Sequence, residues 1–82
     1  MDSYLIYDTN NNPTGYAEQN GQPLSIYNIN NECIGYGERI GFRLTIVDIN
    51  NQSIGYGVIR SRSKRIGIFN TNNEPVGYWM AR

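Results

Sequence analysis

The hydrophobic and polar positions along this chain repeat as one short pattern four times over. The unit reads apolar-x-Ile-aliphatic/aromatic-Asp/Asn-x-Asn-Asn-x-x-apolar-Gly-Tyr. It occurs as YLIYDTNNNPTGY, LSIYNINNECIGY, LTIVDINNQSIGY and IGIFNTNNEPVGY. Ile6, Ile26, Ile46 and Ile68 fall in register, as do Gly15, Gly35, Gly55 and Gly77, and Tyr16, Tyr36, Tyr56 and Tyr78. A fixed period near 20 residues marks a repeat architecture.

Within a copy the apolar residues alternate with period two, the signature of strands bounded by turn residues. Gly, Asn and β-branched residues recur too densely for a helix. Asp8, Asn28, Asp48 and Asn70 open the four loops, where a short acceptor side chain can bond the amides ahead of it. A two-residue turn on Asn50-Asn51 is one option. A type I turn from Asp48, with Asn51 in the left-handed region as a bulge, is the other. The bulged form predicts Ile46 opposite Ile54 and Leu44 opposite Tyr56, with all large aliphatics on one face, and is preferred for that reason. Tyr7, Tyr27, Val47 and Phe69 then line the opposite face near Gly15, Gly35, Gly55 and Gly77. Those glycines serve either to receive a neighbouring ring or to let the strand bend.

Asn20-Gly21 in the first link is a hairpin signal, and Gly41 takes the equivalent place in the second. The expected fold is therefore all-β: one domain over 1–82, with repeats 4–23, 24–43, 44–65 and 66–82, forming an antiparallel eight-strand meander. Eight strands close into a small barrel filled by side chains, and closure removes exposed edges. A coiled sheet paired with a second copy, or a solenoid of hairpins, are the alternatives. Pro13 and Pro75 follow the loops of the first and last copies only, which predicts a seam or capped edge there.

Composition narrows the chemistry. There is no His, so general base work at neutral pH would need a strongly shifted carboxylate or Lys. No enzyme, cofactor or metal site is predicted; the Asp/Asn loops lack the acids and distal Glu of a calcium loop. The single Cys33 excludes an internal disulfide and is expected to be a small half-buried residue rather than a nucleophile. The first residues show no secretory signal and no apolar run is long enough to span a membrane as a helix. A cytoplasmic protein is the expectation. Charge sums to zero but is uneven: residues 1–38 carry acids only, while 39–65 carry six of the seven Lys and Arg.

The rhythm in LTIVDINNQSIGYG and LSIYNINNECIGYG resembles hairpins of tubby C-terminal-like barrels, which enclose a helix that this chain does not supply. The 20-residue spacing looks like choline-binding cell-wall repeats, whose tryptophans are missing here apart from Trp79. No residue role is carried over from either. A non-enzymatic interaction or structural module, self-associating as a homo-oligomer, is the expected function, motivated by Ile29 and Ile49 at loop positions and by the acidic and basic halves of the chain. Two alternatives remain open. One is binding of nucleic acid or another polyanion through Arg39, Arg43, Arg60, Arg62, Lys64 and Arg65. The other is carbohydrate binding through the Tyr and Asn of the repeats.

Overall fold

A computed structural model describes residues 3–19 and 23–82. Each copy folds as one hairpin: β1 (Ser3–Asp8) with β2 (Pro13–Gln19), β3 (Leu24–Asn28) with β4 (Cys33–Ile40), β5 (Arg43–Asp48) with β6 (Ser53–Val58), and β7 (Arg65–Asn70) with β8 (Pro75–Ala81). Every strand pairs antiparallel with its neighbours in sequence, and β1 pairs with β8, so the meander closes into a barrel. The described residues include no helix, and hence none long and apolar enough to cross a membrane.

The hairpin turns take the bulged form. Asn51 donates its amide to the Asp48 carbonyl at 3.0 Å, Asp48 donates to Gln52 at 2.9 Å, and Asn51 has φ 64°. Asn11, Asn31 and Asn73 repeat this left-handed conformation, which Asn tolerates better than most residues. The side chains of the opening residues complete each turn. Asp8 Oδ1 accepts the amides of Asn10 at 2.8 Å and Asn12 at 2.9 Å, and Asp48 does the same for Asn50 and Gln52. Where the opening residue is Asn, its Oδ1 plays that part and its Nδ2 donates to a Glu: Asn28 to Glu32 at 2.8 Å, Asn70 to Glu74 at 3.0 Å. An amide carries a donor that a carboxylate lacks, so Asn at the start goes with Glu at the end. Each loop thereby keeps one negative charge.

The expected register does not hold. A second bulge follows every turn, at Ile6/Tyr7, Ile26/Tyr27, Ile46/Val47 and Ile68/Phe69. Thr14, Ile34, Ile54 and Val76 are the extra residues, so Ile46 faces Gly55 rather than Ile54, and Leu44 faces Gly57 rather than Tyr56. One inserted residue flips the side-chain parity of the return strand. Glycines go inside and the four repeat tyrosines outside. The physical cause is volume: an eight-strand barrel has an interior just wide enough for side chains, and four tyrosines added to the isoleucines would overfill it.

The interior consists of Ala17, Leu24, Ile26, Leu44, Ile46, Ile66, Ile68 and Trp79, all buried, with Tyr4, Ile6 and Ile59 packed against them. Outgoing strands supply the aliphatics, and return strands supply small residues in the first three copies and Trp79 in the last. Residues 17, 37, 57 and 79 hold one repeat position as Ala, Gly, Gly and Trp. A Cβ on Gly37 would stand 3.4 Å from the Trp79 ring, and one on Gly57 only 2.8 Å from Ile66 Cγ2. The space two glycines leave is taken by one indole and its aliphatic neighbours.

Gly15, Gly35 and Gly55 have a different reason. A Cβ there would fall on the carbonyl oxygen of Tyr27, Val47 or Phe69 in the adjacent hairpin. Close backbone approach where the sheet bends requires glycine; the rings of that face lie over the repeat tyrosines instead. Pro13 and Pro75 mark no seam. They start β2 and β8 at the position Cys33 and Ser53 hold in the other copies, and β1 and β8 share five register pairs. The Asn20-Gly21 link lies outside the described residues. The second link is a two-residue turn on Gly41, φ 63°, and Phe42.

Candidate functional site

With the tyrosines outward, each seam between hairpins carries a cross-strand pair on the outer surface. Tyr16 stacks on Tyr27 at 5.0 Å between centroids, Tyr56 on Phe69 at 5.3 Å, and Tyr78 on Tyr7 at 5.0 Å. In each, the repeat tyrosine donates its hydroxyl to a loop asparagine of the next hairpin, at 2.8 Å: Tyr16 to Asn31, Tyr56 to Asn73, Tyr78 to Asn11. These stacks fasten neighbouring hairpins, each worth about 0.5–1.5 kcal/mol beyond area burial.

The fourth seam departs from the pattern. Tyr36 sits opposite Val47, the single aliphatic among positions 7, 27, 47 and 69. Among the described residues Tyr36 makes neither the stack nor the hydroxyl bond of its counterparts. An open groove of about 430 Å³ runs along this seam, lined by Pro23, Tyr36, Ile40, Thr45, Val47 and Asn51 with Glu38 beside them. Ile40 and Phe42, at its turn end, are 64% and 66% exposed. The signal was present in the repeat alignment, as Val47 where the other copies have Tyr or Phe.

The barrel ends differ in charge. The four Asp/Asn-led loops lie at one end, and they hold Asp8, Glu32, Asp48 and Glu74 with no Lys or Arg. At that mouth Ile6, Ile26, Ile46 and Ile68 floor an apolar cup of about 300 Å³, rimmed by Thr14, Ile34, Ile54 and Val76. The second and third links and Arg82 lie at the opposite end, and all seven Lys and Arg stand there. Glu18 and Glu38 also lie at this end, so it is the net charge, and not every acid, that changes sign along the barrel axis.

All six predicted anion-binding residues reach this basic end, in different states. Arg43 lies over the Tyr56 ring at 4.2 Å and Arg65 over Tyr78 at 3.9 Å, while Arg39 Nε donates to the Gly41 carbonyl at 3.2 Å. Arg60, Arg62 and Lys64 are exposed on the third link, where Arg62 has φ 71°. Arg82 is a seventh member that the sequence reading omitted. It lies 3.8 Å from Glu18, donates to Ser3 at 2.8 Å and approaches the Tyr16 ring at 5.9 Å. Barrel closure brings it there from the far end of the sequence.

Cys33 is exposed, not half-buried as expected; its thiol donates to the Gly35 carbonyl at 3.6 Å. Among the described residues no three His, Cys, Asp or Glu side chains gather as metal ligands would. No protein-family model, curated protein or solved structure matches this chain, so no relative supplies a role for any of these residues.

Proposed function

We propose that this barrel is a non-enzymatic interaction module that self-associates through the face formed by its two central hairpins. One observation carries this. Of the eight exposed large hydrophobic side chains among the described residues, seven fall between Ile29 and Val58. The repeat frame allows a like-for-like comparison: Ile29 and Ile49 stand where the outer copies have Thr9 and Thr71, and Ile34 and Ile54 where the first copy has Thr14. Exposed apolar residues concentrated on two adjacent hairpins, with Val76 the one outlier, mark an interaction surface. Size-exclusion chromatography with light scattering, at low and high salt, tests it. Association should persist or strengthen in high salt, as burial of apolar surface does. A monomer under both conditions ends the proposal.

A second reading, binding of a polyanion, is favoured by the collection of every Lys and Arg at one end while four carboxylates occupy the other. A gel-shift titration with single-stranded nucleic acid tests it, since charge-driven binding must weaken steeply with salt. Affinity should also fall when Arg60, Arg62 and Lys64 are replaced together. The carbohydrate reading has less behind it, because three of the four repeat tyrosines already donate their hydroxyls within the barrel.

A further inference from the structure

We infer that the open seam between β4 and β5 is a self-complementary contact, in which Phe42 of a second copy fills the groove over Val47. This rests on the self-association proposed above and names its interface.

Three of the four seams are closed by a ring contributed from the outgoing strand. The fourth offers the other half of that arrangement, Tyr36 and Asn51, and lacks the ring. An unfilled groove floored by Val47 and walled by Tyr36, Pro23 and Ile40 has the shape and polarity for an aromatic side chain, which would restore the stack the other seams possess.

The ring is supplied by the same hairpin link. Phe42 is two-thirds exposed on the turn joining β4 to β5, with Ile40 beside it. It lies five residues along β5 from Val47, about 17 Å at strand rise. A twofold axis lying across the two strands, midway between Phe42 and the groove, sets two copies of β4–β5 antiparallel and face to face. Each Phe42 then meets the other copy's groove. Such a contact is isologous: donor and acceptor sit on one patch, and the pair closes as a dimer instead of growing into a fibre. The groove is also central to the apolar side of the barrel, since hairpins 2 and 3 flank this seam.

Sedimentation velocity on the full chain, from low micromolar to millimolar concentration, tests the contact with two variants. Phe42→Ser removes the inserted ring. Val47→Phe restores the residue type of the other copies and fills the groove from within. Each should weaken dimerisation at least about tenfold, while Val47→Phe keeps or raises the thermal midpoint because it completes a fourth stack. A midpoint that does not fall separates loss of contact from loss of fold. A parent dimer unchanged by both variants, or weakened by one alone, overturns this interface and leaves self-association standing. A parent chain monomeric throughout the range overturns both.

Discussion

Trp79 and Gly37 should behave as one unit, and a double-mutant cycle measures it. Trp79 is 2% exposed and its ring edge lies 3.4 Å from the place a Cβ on residue 37 would occupy. A tryptophan buries about 150–250 Å², which at about 25 cal/mol/Å² corresponds to about 4–6 kcal/mol. A chain of this length has total stability on the order of 4–12 kcal/mol. Trp79→Ala should therefore remove a large share of it and leave the barrel near its midpoint of unfolding. Gly37→Val in the parent overpacks the same space and should cost about 1–3 kcal/mol. In the Trp79→Ala background the valine instead enters the cavity and should stabilise by about 1–2 kcal/mol, at about 0.8 kcal/mol per buried methylene-sized group. The sign reversal amounts to a coupling of about 3 kcal/mol, the upper range for residues in contact. Urea denaturation followed by far-ultraviolet circular dichroism is the assay, because Trp79 is the sole indole fluorophore. A coupling below about 0.5 kcal/mol, the level of independent sites, would refute the claim that the indole occupies the room Gly37 leaves.

Gly35 and Gly37 should differ sharply toward alanine. At Gly35 the new methyl meets the Val47 carbonyl, so the strands must separate, and a loss of about 3 kcal/mol is expected. At Gly37 the nearest atoms are side-chain carbons at 3.4 Å and the first copy already carries Ala17, so the change should be close to neutral; paired thermal melts decide it. Asp8 gives a pH signature. The amide of Asn12, helped by that of Asn10 and opposed by partial burial, holds its carboxyl below the ordinary 3.8. Its contribution to stability is present above that ordinary value and is lost as pH falls through the lowered one. Asp8→Asn should therefore flatten the acid limb of a plot of melting temperature against pH, and an unchanged limb would show that the turn's hydrogen bonds are not coupled to this carboxyl.

By itself the sequence determined the eight strands, the four type I turns with left-handed asparagines, and the antiparallel order. These depend on contacts within about ten residues, and the Asp/Asn-x-Asn-Asn motif dictates them locally. It also showed where the copies differ: Val47 among aromatics, and Ile29 and Ile49 among threonines. Only the tertiary structure decided which way each return strand faces. Alternation in Ile54-Gly55-Tyr56 is equally regular whether glycine or tyrosine points inward. The choice falls to interior volume, which exists only once β1 meets β8 and admits Gly55 and Gly57 where Tyr56 would not fit. Closure likewise carried Arg82 to Ser3 and Glu18, and gathered cations scattered over residues 39–82 at one end. Those placements follow from the alternation of turn and link ends around a ring, a property of the closed sheet and of no single hairpin.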